Sequence, residues 1–261
     1  MIRFNFKRLT IAIFLTLFFT YPSYSAETNE LIKVNWSFKE ITGKFDRASL
    51  QRGFQVYKEV CASCHSMQYL SYRNLGEPGG PEFTQEEVKA IAASVEIEDG
   101  PDSQGEMFTR PGKPSDKFKR PYPNVEASTV ANGGAYPPDM SVLVKARPGG
   151  ADYMYSVLMG YEEPPAGMKL DDGVYYNKYM VGQKIKMASP LSDGIVEYSD
   201  GTEATMDQMA KDVTTFLAWA AEPELEERHR VGFKVIIYLI LLTILVYLSM
   251  KKIWSRIDSE I

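Results

Sequence analysis

The chain has 261 residues and a formal net charge of −5, with 34 acidic side chains against 29 basic ones. An acid excess argues against nucleic acid as a partner, because such partners call for a basic face. Apart from two apolar stretches near its ends, the chain is long enough to fold as one sizeable domain with its own core.

In chain order, the first element is a leader. Arg3, Lys7 and Arg8 precede the apolar run Ile11 to Phe19, and Ser23-Tyr24-Ser25-Ala26 supplies small residues for cleavage. The run is too short to cross a bilayer comfortably. Residues 1–25 are therefore expected to be a cleaved signal peptide, and residues 26–230 an exported, periplasmic domain. A helix is expected from Asp46 to Val60, with Asp46 as N-cap and Leu50, Phe54 and Tyr57 at near-helical spacing. Thr84-Gln85-Glu86-Glu87 reads as a capping box opening a short helix through Ala93. A loop-rich stretch follows, broken at Gly100-Pro101, Arg110-Pro111-Gly112 and Arg120-Pro121-Tyr122-Pro123. Asp152 to Met159 reads as helix. Thr205-Met206-Asp207-Gln208 is a second capping box, and Met209, Val213, Phe216, Leu217 and Ala220 give that helix an apolar face up to Ala221. Pro223 ends it, and Glu222 to Glu227 reads as an acidic linker. Residues 231–250 then offer twenty mostly apolar positions, about 30 Å of helix, which is the thickness of a hydrocarbon core. Lys251, Lys252 and Arg256 in the tail, residues 251–261, favour a cytoplasmic C-terminus. The expected class is mostly α, with long loops, almost no alternating strand pattern and one C-terminal transmembrane helix.

Both cysteines fall in Cys61-Ala62-Ser63-Cys64-His65, the spacing of a c-type haem attachment site. Each thiol can add to one vinyl group of the macrocycle, and the adjacent imidazole is delivered to the iron. A zinc site needs four ligands, and the other histidine, His229, stands beside the membrane segment. A redox dithiol belongs in an alternating strand–helix pattern, which is missing. A disulfide between residues so close would be strained and stabilise little. His65 is thus the proximal ligand, and the sixth position falls to a methionine or stays open. Histidine–methionine ligation suits a high-potential electron carrier. Spacing does not choose among the twelve methionines.

Several ordered motifs resemble the cytochrome c1 family of the ubiquinol–cytochrome c oxidoreductase, the cytochrome bc1 complex, in its bacterial form. They include Arg52-Gly53-Phe54-Gln55-Val56-Tyr57, Tyr72-Arg73-Asn74-Leu75, Gly105-Glu106-Met107-Phe108, Pro137-Pro138-Asp139-Met140-Ser141, Arg147-Pro148-Gly149-Gly150-Ala151-Asp152-Tyr153 and Ala218-Trp219-Ala220-Ala221-Glu222-Pro223. The resemblance implies a class I-like c-type cytochrome domain with one covalent haem c held by Cys61 and Cys64, and iron ligated by His65 and Met187. Met187 lies in Lys186-Met187-Ala188-Ser189-Pro190-Leu191, where Ser189 replaces the first of two prolines usual in the family. It further implies Arg147 at a haem propionate, Tyr153, Asn132 and Pro138 in the pocket lining, and Leu158, Met180 and Ile185 as apolar walls. Implied partners are cytochrome b beside the anchor, the Rieske iron–sulfur protein as electron donor and cytochrome c as acceptor, in a dimeric complex of the inner membrane. Acidic groups at Glu86, Glu87, Glu96, Glu98, Asp99 and Asp102 are candidates to meet lysines of the acceptor. In this reading the chain is a relay subunit of a reductase, without acid–base or nucleophilic chemistry of its own. The alternatives are an anchored c-type cytochrome of another respiratory complex, and a non-redox haem sensor with a weak or absent sixth ligand.

Overall fold

The computed structural model describes residues 29–257. The expected signal peptide and residues 258–261 lie outside the described residues. The helix ahead of the cysteines, α1 (Arg47–Glu59), starts where Asp46 accepts a hydrogen bond from the backbone N–H of Ala48. Its buried face is Leu50, Gly53, Phe54, Val56 and Tyr57. The capping box at Thr84 and Glu87 opens α2 (Gln85–Ala93), with both reciprocal bonds made. Then come α3 (Val125–Ala131), α4 (Ala151–Met159) and α5 (Met206–Ala221). Thr205 caps α5 by accepting from Gln208 N–H. The expected return bond of that box is not made, because the Gln208 amide donates to Asp212 one turn on.

The domain is built on the crossing of α1 and α5. Gly53 sits at the contact, where a Cβ would stand 2.1 Å from the Asp212 carbonyl oxygen and 2.7 Å from Phe216 Cβ. Only a residue without a side chain lets the two backbones meet there. Next to it the Arg52 guanidinium forks onto Asp212, at 2.8 Å from Nε and 3.1 Å from Nη2. The Asp212 side chain is fully buried, so it depends on this partner. Around the crossing, Phe54, Tyr57, Phe118, Phe216 and Trp219 form an aromatic core, with Phe54 and Phe216 centroids 5.7 Å apart. Across α4 runs an N-terminal strap: Ile32 N–H donates to Ser156 Oγ, and Trp36 Nε1 donates to Asp152 Oδ1 at 2.7 Å.

Three features were not anticipated, two short ribbons and one short helix. β1 (Glu96–Asp99) pairs antiparallel with β2 (Phe108–Pro111), and β3 (Tyr175–Tyr176) with β4 (Lys184–Ile185). Neither ribbon buries an apolar face in the period-two manner that makes strands visible in a sequence. The first is held instead by Arg110, which bonds Asp99 across the ribbon and forks onto Asp116 beyond it. The third is α3, a seven-residue helix directly behind the proline-rich breakers, capped by Asn124 accepting from Ala127 N–H at 2.7 Å.

The acidic stretch after α5 is a linker only as far as Glu224. Leu225 begins α6 (Leu225–Ile257), and Leu225 itself packs into the domain core. Glu226 and Glu227 complement the positive end of the new helix. Glu226 also accepts from Arg47 at 2.7 and 2.9 Å and from Phe45 N–H, while the His229 ring lies 3.2 Å from the Gly43 carbonyl. Within Leu225–Ser255 the most apolar eighteen-residue stretch has a mean hydropathy of 2.5, and the domain covers none of it. An apolar helix left this bare is built for lipid or for another subunit.

Candidate functional site

Cys61 ends the run of α1 in a 3-10 turn, Cys61–Ser63, and the Cys61 carbonyl accepts from both Cys64 N–H and His65 N–H. This tight turn puts two free thiols and an imidazole on one short arc. Cys61 is packed into the core and burial pushes its thiol up to about 12, whereas Cys64 is half-buried beside a cavity of about 390 Å³. Ser66, Arg120, Tyr122 and Tyr136 line the same cavity.

His65 is buried, and its Nδ1 lies 2.8 Å from the Pro138 carbonyl oxygen. A carbonyl only accepts, so Nδ1 carries the proton and Nε2 keeps its lone pair. Burial holds the imidazole below its usual range, against the opposing pull of that carbonyl and of Asp139. The ring is therefore neutral at physiological pH, the form that ligates a metal. Asp139 holds the carbonyl in place. It accepts from Ser66 Oγ at 2.7 Å, Gln68 N–H at 3.0 Å and Ser141 N–H at 2.9 Å, stapling the segment after the cysteine motif to the segment bearing Pro138. Burial pushes this carboxyl up, but the bonds from Ser141, Ser66 and Gln68 outweigh it and leave it below the usual carboxylate range. No role was read for Asp139 in the sequence; its signal was the Asx-type turn of Asp139 two residues before Ser141.

The other expected residues lie on segments tied to this one. Asn132 caps α3 and bonds the Ser128 carbonyl, and the turn after it leads to Pro138. Lys186 Nζ donates to Gly133 O at 2.9 Å, which lays the Met187 segment against that turn. Tyr161 Oη donates to the Met187 carbonyl at 3.1 Å, joining the same segment to the end of α4. On α4, Leu158 is buried and Tyr153 is half-buried, its hydroxyl 3.2 Å from Met180 Sδ. Ile185 is on β4, half-buried, two residues before Met187. Arg147 stands exposed at the turn entering α4 and has no carboxylate partner among the described residues. Burial also sorts the methionines. Met67, Met140, Met154 and Met209 are core, Met107 and Met250 are exposed, and Met159, Met168, Met180, Met187 and Met206 are half-buried, Met159 and Met206 against the core.

Of the six acidic groups expected to meet a basic partner, Asp99 is already paired with Arg110, and Asp102 accepts from Gln104 and Glu106 N–H. Glu87 is spent on its capping box. Glu86, Glu96 and Glu98 have no ion-pair partner among the described residues.

The class follows from the histidine. A neutral imidazole with one nitrogen tied to a carbonyl, set beside two free thiols at this spacing in a helical domain, belongs to a c-type cytochrome. The bare apolar helix α6 is long and apolar enough to anchor it in a membrane. Residues 36–257 match the Cytochrome C1 family model, and the chain belongs to the cytochrome c1 family. It is 52% identical to cytochrome c1-2, heme protein, mitochondrial, of Solanum tuberosum, over 86% of this chain and 85% of that protein. Cytochrome c1 of Rhodospirillum rubrum is 44% identical over 89% of this chain and 92% of the relative. The cytochrome b/c1 of Bradyrhizobium diazoefficiens is 49% identical over 84% of this chain, which spans 35% of that longer protein.

Proposed function

We propose that this chain carries one covalent haem c and serves as the electron-relay subunit of a ubiquinol–cytochrome c oxidoreductase. The observation that carries the reading is the buried His65 imidazole, with Nδ1 committed to Pro138 O at 2.8 Å, in one turn with the free thiols Cys61 and Cys64. The donor set fits the group: two thiols for thioether bonds, one imidazole, and apolar side chains at Ile185, Met180 and Met187 left half-buried for a flat apolar partner to cover. Haem iron, when bound, holds one electron at a time as it alternates between ferric and ferrous. In this reading Cys61 and Cys64 would fix the group, and His65 Nε2 and Met187 Sδ would serve as the proximal and distal ligands of its iron. Arg147, whose guanidinium has no carboxylate partner among the described residues, would pair with a propionate. Tyr153, Asn132, Pro138, Leu158, Met180 and Ile185 exclude water, which raises the potential together with the thioether ligand.

The electron donor in this proposal is the Rieske iron–sulfur protein and the acceptor is cytochrome c, with cytochrome b packed along α6 and the complex a dimer. Glu86, Glu96 and Glu98 are the acidic groups left to steer a basic acceptor, a rate effect that fades with salt. The haem domain lies in the periplasm and the C-terminus in the cytoplasm of the inner membrane, the signal peptide being cut near residue 25. Purification from membranes in mild detergent, followed by mass measurement and a pyridine haemochrome spectrum, tests the core of this. The expected mass is that of the mature chain plus one haem, in a fraction containing cytochrome b and a Rieske protein. A colourless chain of bare polypeptide mass, or one purifying with an oxidase instead, overturns it.

A further inference from the structure

The segment 186–190 leaves β4 and runs to the buried Leu191 with little holding it. Lys186, Ala188 and Ser189 are exposed and Met187 is half-buried. Among the described residues, no backbone group elsewhere pairs with its backbone. Ser189 Oγ reaches only the carbonyl of Leu191, and Lys186 holds Gly133 through a long, exposed side chain. What does grip this backbone is the Tyr161 hydroxyl, donating to Met187 O at 3.1 Å.

Tyr161 is itself rigidly based. It forms an isolated antiparallel bridge with Asn177, a fully buried residue whose amide donates to Val157 O at 2.7 Å and whose Oδ1 accepts from Tyr179 N–H. Lys178 N–H donates to the carbonyl of Gly160, where a Cβ would stand 2.6 Å from the Tyr179 ring. The hydroxyl thus projects from a packed corner at the end of α4 onto a strand of chain whose backbone has no other partner from outside it among the described residues.

We propose that Tyr161 is a positioning residue for the distal iron ligand: its hydrogen bond to the Met187 carbonyl keeps the thioether on the iron against competing ligands. This rests on the assignment of Met187 as that ligand. An unpinned loop regains conformational freedom when the thioether lets go, so its release becomes easier and an outside ligand binds more readily.

The test uses the complex in mild detergent, with Tyr161→Phe, Tyr155→Phe and Met187→Leu beside the native chain. The readouts are the long-wavelength sulfur-to-iron band of the ferric form and carbon monoxide binding to the ferrous form. Tyr161→Phe keeps the ring and is expected to retain haem. Its affinity for carbon monoxide should rise on the order of fivefold, the factor that one ordinary hydrogen bond is worth. Its sulfur band should also disappear at a lower temperature. Tyr155→Phe removes a part-buried tyrosine hydroxyl bond on α4, to Asp207, away from the Met187 segment. It should leave both readouts at native values. Fluorotyrosine at position 161, a stronger donor, should lower carbon monoxide affinity and so tests the idea without removing the bond. Equal behaviour of Tyr161→Phe and the native chain, or of Tyr161→Phe and Tyr155→Phe, overturns the proposal. A sulfur band that survives in Met187→Leu instead overturns the ligand assignment, and the positioning role falls with it.

Discussion

At the residue scale, a carbonyl acceptor at one ring nitrogen of His65 decides the use of the other, and Asp139 decides where that carbonyl stands. Replacing Asp139 by Ala strands Ser66 Oγ and two backbone donors at once. Bonds to a charged acceptor are individually strong, so the haem-loaded chain should lose roughly 2 kcal/mol, measurable by denaturant unfolding. Met187 poses the complementary question. Replacement by Leu should abolish the low-spin spectrum and lower the reduction potential by on the order of 0.1 V or more, within the ~0.8 V span that axial ligands command. An unaltered redox titration moves the ligand to another sulfur, with Met180 among the half-buried alternatives.

At the scale of elements, the α1–α5 crossing and the Arg110 cluster make different demands. Gly53→Ala places a methyl into the Asp212 carbonyl, and neither backbone can give without parting the helices. A loss of about 3 kcal/mol is expected, with reduced haem incorporation, since the cysteine turn follows directly from α1. The Arg110 cluster makes a pH prediction. Hydrogen bonds from the Arg110 guanidinium hold the Asp116 carboxyl at about 2, below the ~3.9 of an unfolded chain. A depressed carboxylate contributes its stability above the unfolded value and loses it as pH falls from about 4 through about 2. An acid titration of native chain and Asp116→Asn should therefore differ in slope across that window and run parallel above it. Identical slopes would exclude the cluster as a source of acid sensitivity.

At the scale of the whole molecule, the anchor is fixed to the domain rather than tethered. The Arg47–Glu226 pair and Leu225 in the core make α6 start inside the domain, so the distance of the cysteine site from the apolar span is set by packing. Arg47→Leu should leave the chain in the membrane pellet after alkaline extraction. It should also speed protease cleavage near residues 222–230 severalfold, because that corner loses its pin. Unaltered cleavage would show that Leu225 and the His229 contact suffice.

The cysteine–histidine motif, the caps that open α1, α2 and α5, and the bare apolar run of α6 were legible in the sequence because each is a local signal: a spacing, a cap, a run of apolar residues. The two ribbons and α3 were not, since they are short, lack an apolar face and are held by polar partners. The roles of Asp139, Tyr161 and Glu226 escaped for a related reason. Each acts through bonds to residues 73, 26 and 179 positions away, a separation at which a sequence carries no periodicity. What the sequence by itself determined is which chemical groups are present and in what local arrangement. Only the tertiary structure decided which imidazole nitrogen is free, which methionines remain outside the core and how firmly the domain stands on its anchor, because those depend on contacts between segments that only folding brings together.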